Sequence, residues 1–206
     1  MNSSQIKQAS SPKTNDELIL VVKRNILFAQ NNWQGFCPDI TQPLIDLITQ
    51  HQEFLPRSLM EQDATYKQII PYIIFRHNER YFVMQRKATA SEQRLKNKYT
   101  IGIGGHMRQE DMLNSSSIFD WAKREFHEEV EYTAPFTVTA LGIINDDSTD
   151  VGTVHLGLAL LIEGGSNQIQ IKSELKSGFL ISKEEVKNYY EQMESWSQIV
   201  FSFLNA

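Results

Sequence analysis

The sequence predicts an α/β fold in which a mixed sheet lies between layers of helices. Apolar runs rich in strand-forming residues alternate along the chain with segments of helical periodicity. The run at 154–162 is apolar almost throughout, which is typical of a strand buried on both faces. The segment 119–130 repeats its apolar residues at helical spacing and so predicts an amphipathic helix. Together these patterns indicate an α/β/α arrangement.

Strand-like runs follow one another along most of the chain. The predicted strands are residues 17–23, 68–75, 81–85, 136–144, 154–162, 169–171 and 179–181. The turn at 77–79 predicts that the strand 81–85 pairs back on the strand 68–75. Pro71 lies inside that first strand, and it suggests an edge position or a bulge because proline cannot donate to a strand ladder.

Helices are predicted between and after these strands. Residues 41–52 form a helix with Pro43 in its first turn, whereas residues 54–66 are irregular or a short helix. Pro135 ends the helix predicted around 119–130. Ser182 and Glu185 form a capping box for a further helix. The last predicted helix covers 191–204, and its inward side chains are Met193, Trp196, Ile199 and Val200.

Three glutamates on the 119–130 helix are the strongest functional signal. Glu125, Glu128 and Glu129 fall within an arc of about 100° on a helix, beside the apolar stripe that faces the core. Like charges at this spacing repel, so either water screens them or a cation neutralises them. Half-buried carboxylates suit Mg²⁺ or Mn²⁺ better than zinc. A solvated acidic face is the alternative reading.

A glycine turn precedes this helix. The residues Ile101-Gly102-Ile103-Gly104-Gly105-His106 read as a strand end that runs into a turn, where glycine lets backbone approach a ligand closely. Ser115, Ser116 and Ser117 are candidate N-caps for the helix that follows. The spacing matches neither a P-loop nor a dinucleotide-binding fingerprint.

The combination of turn and helix resembles the signature of the Nudix (MutT-like) hydrolases. That signature reads Gly, five residues, Glu, seven residues, then Arg-Glu-apolar-x-Glu-Glu-x-Gly-apolar. This chain has Gly105, five residues, Asp111, twelve residues, and then Arg124-Glu125-Phe126-His127-Glu128-Glu129-Val130-Glu131-Tyr132. It departs from the signature in three ways: Asp111 stands where the signature has glutamate, five extra residues precede Arg124, and Glu131 replaces the last glycine. The extra residues fall in a loop, where added length is tolerated. The resemblance covers roughly residue 67 to the C-terminus.

The resemblance implies a Nudix-like α/β/α sandwich with a mixed sheet, and the strand and helix predicted before residue 65 add an N-terminal β/α extension. For 206 residues we expect one main domain. The predicted parts are a disordered tail at 1–14, the extension at 15–64 and a Nudix-like hydrolase domain at 65–206. The extension shapes either the substrate pocket or a homodimer interface, and both alternatives stay open.

The resemblance also implies roles for individual residues. Glu125 and Glu129 are the principal metal ligands, Glu128 shares a second ion or a proton, and the Gly104 carbonyl is a further ligand. Arg124 holds one glutamate in its working rotamer; a simple surface pair with Glu128 is the alternative. Glu174 is the candidate for an additional catalytic acid or base from a distant loop. Glu163 competes with Glu174 for that role.

Substrate phosphates need cationic or hydrogen-bonding partners. The basic residues between the predicted strand 81–85 and the glycine turn are Arg86, Lys87, Arg94, Lys96 and Lys98. We predict Arg86, Arg94 and His106 as substrate-binding residues. Solvated surface cations and a histidine that caps a carbonyl are the alternatives. Other candidates carry simpler interpretations: His155 as a core histidine, Trp121 as a packing residue, and Asp146, Asp147 and Asp150 as an acidic surface loop.

The predicted function is metal-dependent hydrolysis of a diphosphate linkage in a nucleoside diphosphate joined to another moiety, by attack of metal-activated water. One alternative is a non-catalytic sensor that binds a nucleotide without cleaving it. Another is an isoprenoid diphosphate isomerase, a class expected to place a cysteine near the metal; Cys37 is distant in sequence from the motif.

Composition fits an ordinary enzyme of the cytoplasm, and the resemblance implies that its partner is a small nucleotide or another diphosphate. The net charge of −5 argues against broad nucleic-acid binding. Cys37 is the single cysteine, so no intrachain disulfide is expected and a reducing compartment fits. The polar N-terminus lacks an apolar signal core, and no apolar run reaches the length of a membrane span.

Overall fold

The structure is a computed structural model. It describes residues 16–30, 32–87, 97–112, 115, 117–172 and 175–206. The disordered tail predicted at residues 1–14 lies outside these ranges. Among the described residues, no helix is both long and apolar enough to cross a lipid bilayer.

Twelve strands and eight α-helices make up the described chain. The strands are β1 (Leu18–Lys23), β2 (Gly35–Cys37), β3 (Glu53–Pro56), β4 (Tyr66–His77), β5 (Arg80–Arg86), β6 (Tyr99–Thr100), β7 (Gly102–Gly104), β8 (Val130–Glu131), β9 (Phe136–Asn145), β10 (His155–Gly164), β11 (Gln170–Ile171) and β12 (Leu175–Ser182). The helices are α1 (Arg24–Leu27), α2 (Thr41–His51), α3 (Arg57–Met60), α4 (Gln109–Met112), α5 (Ile118–Glu129), α6 (Asp150–Val154), α7 (Lys183–Val186) and α8 (Ser195–Leu204). A 3₁₀-helix covers Lys187–Gln192.

The main sheet is mixed, and β4 is its central strand. The strand order is β12-β5-β4-β10-β9-β2, with β10 parallel to β4 and antiparallel to β9. The other side of β4 is divided among three antiparallel partners: residues 66–68 pair with β1, residues 72–74 with β7, and residues 76–77 with β5. The gap between the β1 and β7 pairings leaves room beside β4 for the turn that follows β7.

The expectation that Pro71 marks an edge strand is wrong, because the strand that contains it, β4, is central. It lies in the middle of β4, opposite Leu158 of β10. On the other side of β4 it falls between the stretches paired with β1 and β7. A proline is tolerated in a central strand where its missing N–H faces such an interruption in the ladder.

Helices cover both faces of the sheet, as predicted. On one face Ile69 and Ile73 of β4 pack in an apolar core with residues of α2 and α5, including Trp121 and Phe126. On the other face a second core joins β4 to the C-terminal helix α8. Alternate residues of one strand thus serve two helical layers, because successive side chains of a strand point to opposite faces.

The C-terminal segment differs from the prediction of one helix over 191–204. A 3₁₀-helix ends at Gln192, and α8 starts at Ser195. Met193 bridges to Tyr99, and the Glu194 N–H donates to the Tyr99 carbonyl oxygen at 3.0 Å. These main-chain contacts draw the chain onto the sheet and interrupt the helix. The capping box of Ser182 and Glu185 is present as predicted.

The N-terminal segment, residues 16–64, is part of the main sheet. β1 pairs with both β3 and β4, and β2 pairs with β9 at the far end of the sheet. The Leu20 N–H also donates to the Met107 carbonyl oxygen at 2.8 Å. The segment is thus attached directly to the turn that follows β7. The proposed boundary at residue 64 stays a prediction.

Candidate active site

A cleft of about 470 Å³ brings most of the predicted site residues together. The predicted residues that line it are Arg86, Gly104, His106, Glu125, Glu128 and Glu129. They come from the end of β5, the turn after β7 and one edge of α5. Arg124 lies behind this lining, where it pairs with Glu128.

α5 presents its glutamates to the cleft because of how the helix is anchored. Its N-cap is Ser117, whose hydroxyl oxygen accepts a hydrogen bond from the Asp120 N–H at 3.2 Å. The apolar stripe of the helix, including Trp121 and Phe126, is buried against the sheet. Trp121 is fully buried, which agrees with its interpretation as a packing residue. The carboxylates are left at the rim of the core.

Glu125 lies directly against the glycine turn. It is half-buried, and a Cβ added at Gly105 would come within 2.3 Å of its Oε1. Burial, together with the negative charges of Glu128 and Glu129, raises the pKa of Glu125 to about 7. The absence of a side chain at Gly105 is therefore what allows this carboxylate to occupy the floor of the cleft.

We expect Gly105→Ala to impair activity far more than it impairs stability. The clash is with the end of a flexible side chain, so Glu125 would turn away while the backbone remains in place. We expect a decrease in kcat/KM of about tenfold or more for Gly105→Ala. Its thermal unfolding should match that of the wild type, because the added methyl group displaces only a side chain. An unchanged kcat/KM, or a loss of activity that accompanies a loss of the fold, would contradict this account.

Arg124 connects the glutamates to Asp111, one of the departures from the Nudix signature. The guanidinium of Arg124 forms ion pairs with Glu128 and, at 2.9 Å, with Asp111. Asp111 is buried and accepts a further hydrogen bond from Arg108 Nε at 2.9 Å. Although burial opposes it, the hydrogen bond from Arg108 and the charge of Arg124 lower the pKa of Asp111. An aspartate at this position therefore still anchors Arg124 through an ionised carboxylate.

The chemistry of the cleft suits a divalent cation with a preference for oxygen. Three glutamates stand beside exposed Gly104 in the lining of the cleft. Burial, and then the charges of Glu128 and Glu129, raise the pKa of Glu125 and so disfavour its charge in the absence of a cation. In the part of the chain that is described, however, no three acidic, histidine or cysteine side chains already surround one point suited to a metal. The donors fit the ion, but the side chains would have to reorient to share it.

Arg86 enters the cleft in company with Glu194, a residue that the sequence did not single out. The Nε of Arg86 donates to Glu194 Oε1 at 2.8 Å, and Glu194 is buried. Burial disfavours the charged guanidinium, but Glu194 outweighs it and the pKa of Arg86 is raised. Glu194 lay inside the helix predicted for 191–204, so sequence periodicity gave no reason to place it in a cleft.

His106 is held as a neutral hydrogen-bonding group. Its Nε2 donates to Gln68 Oε1 at 2.8 Å and lies 3.4 Å from the Nε2 of His155. Gln68 is oriented by its own amide N–H, which donates to the Met60 carbonyl oxygen at 3.2 Å. Burial, then the charges of Arg57 and His155, lower the pKa of His106 to about 3. His155 is half-buried and lines the cleft, so it is not the core histidine that was predicted.

The N-terminal segment contributes a wall of the same cleft. Glu17 and Arg57 line it beside Arg108. Arg57 Nη1 lies 3.0 Å from Glu17 Oε2, and Arg57 Nε lies 2.9 Å from Glu61 Oε1. Of the two roles considered for residues 15–64, shaping the pocket is therefore observed. Neither residue stands near the signature in sequence. The pairing of β1 with β3 and β4, together with the bond from Leu20 to Met107, brings them close to it.

The loop 146–150 is more structural than the predicted acidic surface loop. Asp146 is buried, and Asp147 accepts hydrogen bonds from Arg24 and, at 2.7 Å, from the Nζ of Lys67. Lys67 is fully buried and also donates to the Gly152 carbonyl oxygen at 2.8 Å. Asp150, by contrast, is exposed. This charged network fixes α6, whose residue Val151 lines the cleft.

The remaining predicted candidates are not part of the described lining of the cleft. Arg94 and Glu174 fall outside the described residues, so their predicted roles remain predictions. Glu163 pairs with Arg76 Nε at 2.8 Å and is not among the described residues that line the cleft. Cys37 lies in β2, where it pairs with Ile143 of β9, and it is not among the described residues that line the cleft. The isomerase alternative therefore gains no support from the position of its cysteine.

Glu131 shows why the last glycine of the signature is dispensable here. The helix ends at Glu129, and Val130 is already extended, with φ −130° and ψ 153°. Glu131 then pairs with Gln170 in a small two-stranded sheet of β8 and β11. An extended residue needs no positive φ, so a side chain at this position carries no backbone strain.

Comparisons with known proteins extend over nearly the whole chain. No protein-family model matches the sequence. The sequence is 31% identical over 205 residues to Protein YmaB of Bacillus subtilis (strain 168), an alignment that covers 92% of this chain and 98% of that protein.

Solved structures give a consistent result. The crystal structure of Tm1382, a candidate Nudix hydrolase, matches with a TM-score of 0.76 at 30% identity, and it covers 91% of this chain and 98% of Tm1382. DR0079 from Deinococcus radiodurans matches with a TM-score of 0.51 at 10% identity, over 66% of this chain and 81% of that chain. At that identity the second likeness concerns the fold alone.

Proposed function

Because this chain belongs to the Nudix hydrolase family, a pyrophosphatase-type family, we propose that it hydrolyses the diphosphate linkage of a nucleoside diphosphate joined to another moiety, with Mg²⁺ or Mn²⁺ as cofactor. One observation carries this proposal: three glutamates of α5, the glycine turn and Arg86 face a single cleft. A cleft with this much negative charge repels a bare diphosphate, so the cofactor is required for binding as well as for reaction.

The metal would be held by Glu125, Glu129 and the Gly104 carbonyl, with Glu128 available for a second ion or for a proton. When bound, the cation neutralises the phosphate oxygens and acidifies water. Arg124 keeps the Glu128 carboxylate in position and is itself fixed by Asp111. The ionised Asp111 thus supports the glutamates without touching the substrate.

Substrate contacts are assigned to Arg86, His106 and Arg94. The guanidinium of Arg86 offers a fork of donors to a phosphate, and its pairing with Glu194 fixes its direction. The neutral imidazole of His106 donates its Nε2–H to Gln68, so its Nδ1 offers the substrate a hydrogen-bond acceptor, for a hydroxyl or amino group, and not a cation for a phosphate. Glu174 is retained as the proposed additional acid or base, alongside Glu128. The reducing cytoplasm remains the proposed compartment because Cys37 is the single cysteine.

The proposal is tested by assaying the protein with Mg²⁺ and with Mn²⁺ on nucleotide-sugars, dinucleoside polyphosphates, oxidised nucleotides and capped RNA ends. We expect metal-dependent cleavage between two phosphates, detected by ³¹P NMR and abolished by a chelator. Calorimetric binding of a nucleotide without any product, in either metal, would favour the sensor alternative instead. Rearrangement of an isoprenoid diphosphate without hydrolysis would favour the isomerase.

A further inference from the structure

We propose that the cleft seats a planar aromatic ring of the substrate, such as a nucleobase, against the indole of Trp196. This inference rests on the proposed function, because it concerns the moiety attached to the diphosphate. Trp196 lines the same cleft as the three glutamates and is only half-buried.

The indole is held firmly from behind. A Cβ added at Gly157 would lie 2.9 Å from Trp196 Cζ3, so the side chain fits there only because residue 157 is glycine. The rings of Tyr72 and Trp196 meet edge to face, with centroids 5.8 Å apart and planes at 84°. An aromatic group that is already fixed loses little conformational freedom on binding, which makes it an effective stacking surface.

Apolar side chains stand beside Trp196. Tyr72 contacts its indole, and Ile70 is the β4 partner of Gly157, which lies behind the indole. Both line the cleft, as does Val151, a large hydrophobic residue that is 36% exposed. The Tyr72 hydroxyl already bonds to Ser197 Oγ at 2.6 Å and to Thr100 Oγ1 at 3.1 Å. Its phenol therefore offers the cleft mainly ring carbon, which suits a flat apolar group better than a hexose.

Charged residues line other parts of the cleft. Glu17, Arg57 and Arg108 come from the N-terminal segment and from the turn after β7, whereas Trp196 belongs to α8. The three glutamates of α5 line the same cleft. With the diphosphate at the glutamates, we expect the ring of the substrate at Trp196 and its second, polar moiety at Arg57.

The test compares two uncleavable ligands that differ by the nucleoside. Adenosine 5′-(α,β-methylene)diphosphate carries a base, and methylenediphosphonate carries none. Their dissociation constants would be measured by calorimetry in Mg²⁺ and in Mn²⁺. We expect the wild type to favour the adenosine compound by about tenfold to a hundredfold, the usual effect of stacking one base on an aromatic side chain.

Variants separate stacking from a general effect on the fold. Trp196→Leu should remove the preference for the adenosine compound, and Trp196→Phe should restore part of it, because phenylalanine keeps a ring. Trp33→Leu is the matched control, since Trp33 packs on Phe28 and is not among the described residues that line the cleft. Circular dichroism would verify the fold of each variant. If Trp196→Leu is unfolded, Trp196→Phe is the deciding variant, and its preference for the adenosine compound should be smaller than that of the wild type but still measurable.

The outcomes distinguish this inference from the proposed function. Equal affinities of the wild type for the two ligands, or an unchanged preference in folded Trp196 variants, would overturn the aromatic seat while diphosphate binding stands. Failure of both ligands to bind in either metal would overturn the proposed function and this inference together. A preference lost in Trp196→Leu, in a protein that cleaves no diphosphate, would overturn hydrolysis and support the seat.

Discussion

We expect Glu129→Gln to lower kcat/KM by about a thousandfold or more, with the fold unchanged. The substitution keeps the size of the side chain and removes one negative charge from the edge of α5 that faces the cleft. If Glu129 is a principal ligand, that loss removes transition-state stabilisation of roughly 4 kcal/mol. The measurement is steady-state hydrolysis with Mg²⁺ and Mn²⁺ varied, which also shows whether excess metal restores part of the rate.

Glu131→Gln is the matched control for this prediction. It makes the same change of charge two residues further along, at an exposed position in β8. Its kcat/KM should stay within about twofold of the wild-type value, since surface substitutions away from a site usually have small effects. Unchanged turnover in Glu129→Gln, with native circular dichroism, would remove the basis for a metal site on this helix.

We expect Asp147→Asn to lower the free energy of unfolding by about 3 kcal/mol at pH 7. Asp147 is paired with Arg24 and with Lys67, whose side chain is fully buried. Removing the carboxylate charge leaves the buried ammonium of Lys67 without its ionic partner, and breaking a buried pair from one side is costly. Urea denaturation would measure the change. Asp150→Asn, at an exposed position of the same loop, is the control and should be close to neutral.

The effect of Asp147→Asn should depend on pH in a defined direction. Although burial opposes it, hydrogen bonds from Arg24 and Lys67 lower the pKa of Asp147 from 3.8 to about 2. A carboxyl with a lowered pKa in the folded state stabilises the protein above its unfolded-state pKa and loses that contribution as the pH falls toward its folded-state pKa. The stability difference between wild type and Asp147→Asn should therefore shrink between about pH 4 and pH 2. A difference that stays constant over this range would contradict the pairing.

The local features of the site were accessible from sequence because local spacing determines them. The spacing of Glu125, Glu128 and Glu129 fixes one helical edge, and the apolar stripe fixes which side is buried. The glycine turn at 104–105 lies close in sequence and packs against Glu125 in the structure. Arg86 was placed in the cleft because it ends a strand that precedes the turn.

Local spacing could not identify the residues that reach the cleft through strand pairing between segments far apart in the sequence. Glu17 and Arg57 reach it because β1 pairs with β3 and β4, and no local pattern encodes those pairings. Glu194 was hidden because Met193 and Glu194 bond to Tyr99 and interrupt a helix that its own periodicity would continue. Pro71 was misassigned for a similar reason, since an interrupted ladder depends on two other strands.

β1 and β7 pair with the same edge of β4, and this limits which changes in the sequence of the first strand the protein can accept. Leu20 of β1 is bonded to Met107, just beyond the glycine turn, so a shift of the first strand would also displace the backbone beside Glu125. Substitutions in the first strand are therefore expected to change catalysis as well as folding. A chimera that takes its first 64 residues from one relative and the remainder from another would combine a first strand and a glycine turn that do not fit each other. It would lose activity even though it kept all three glutamates.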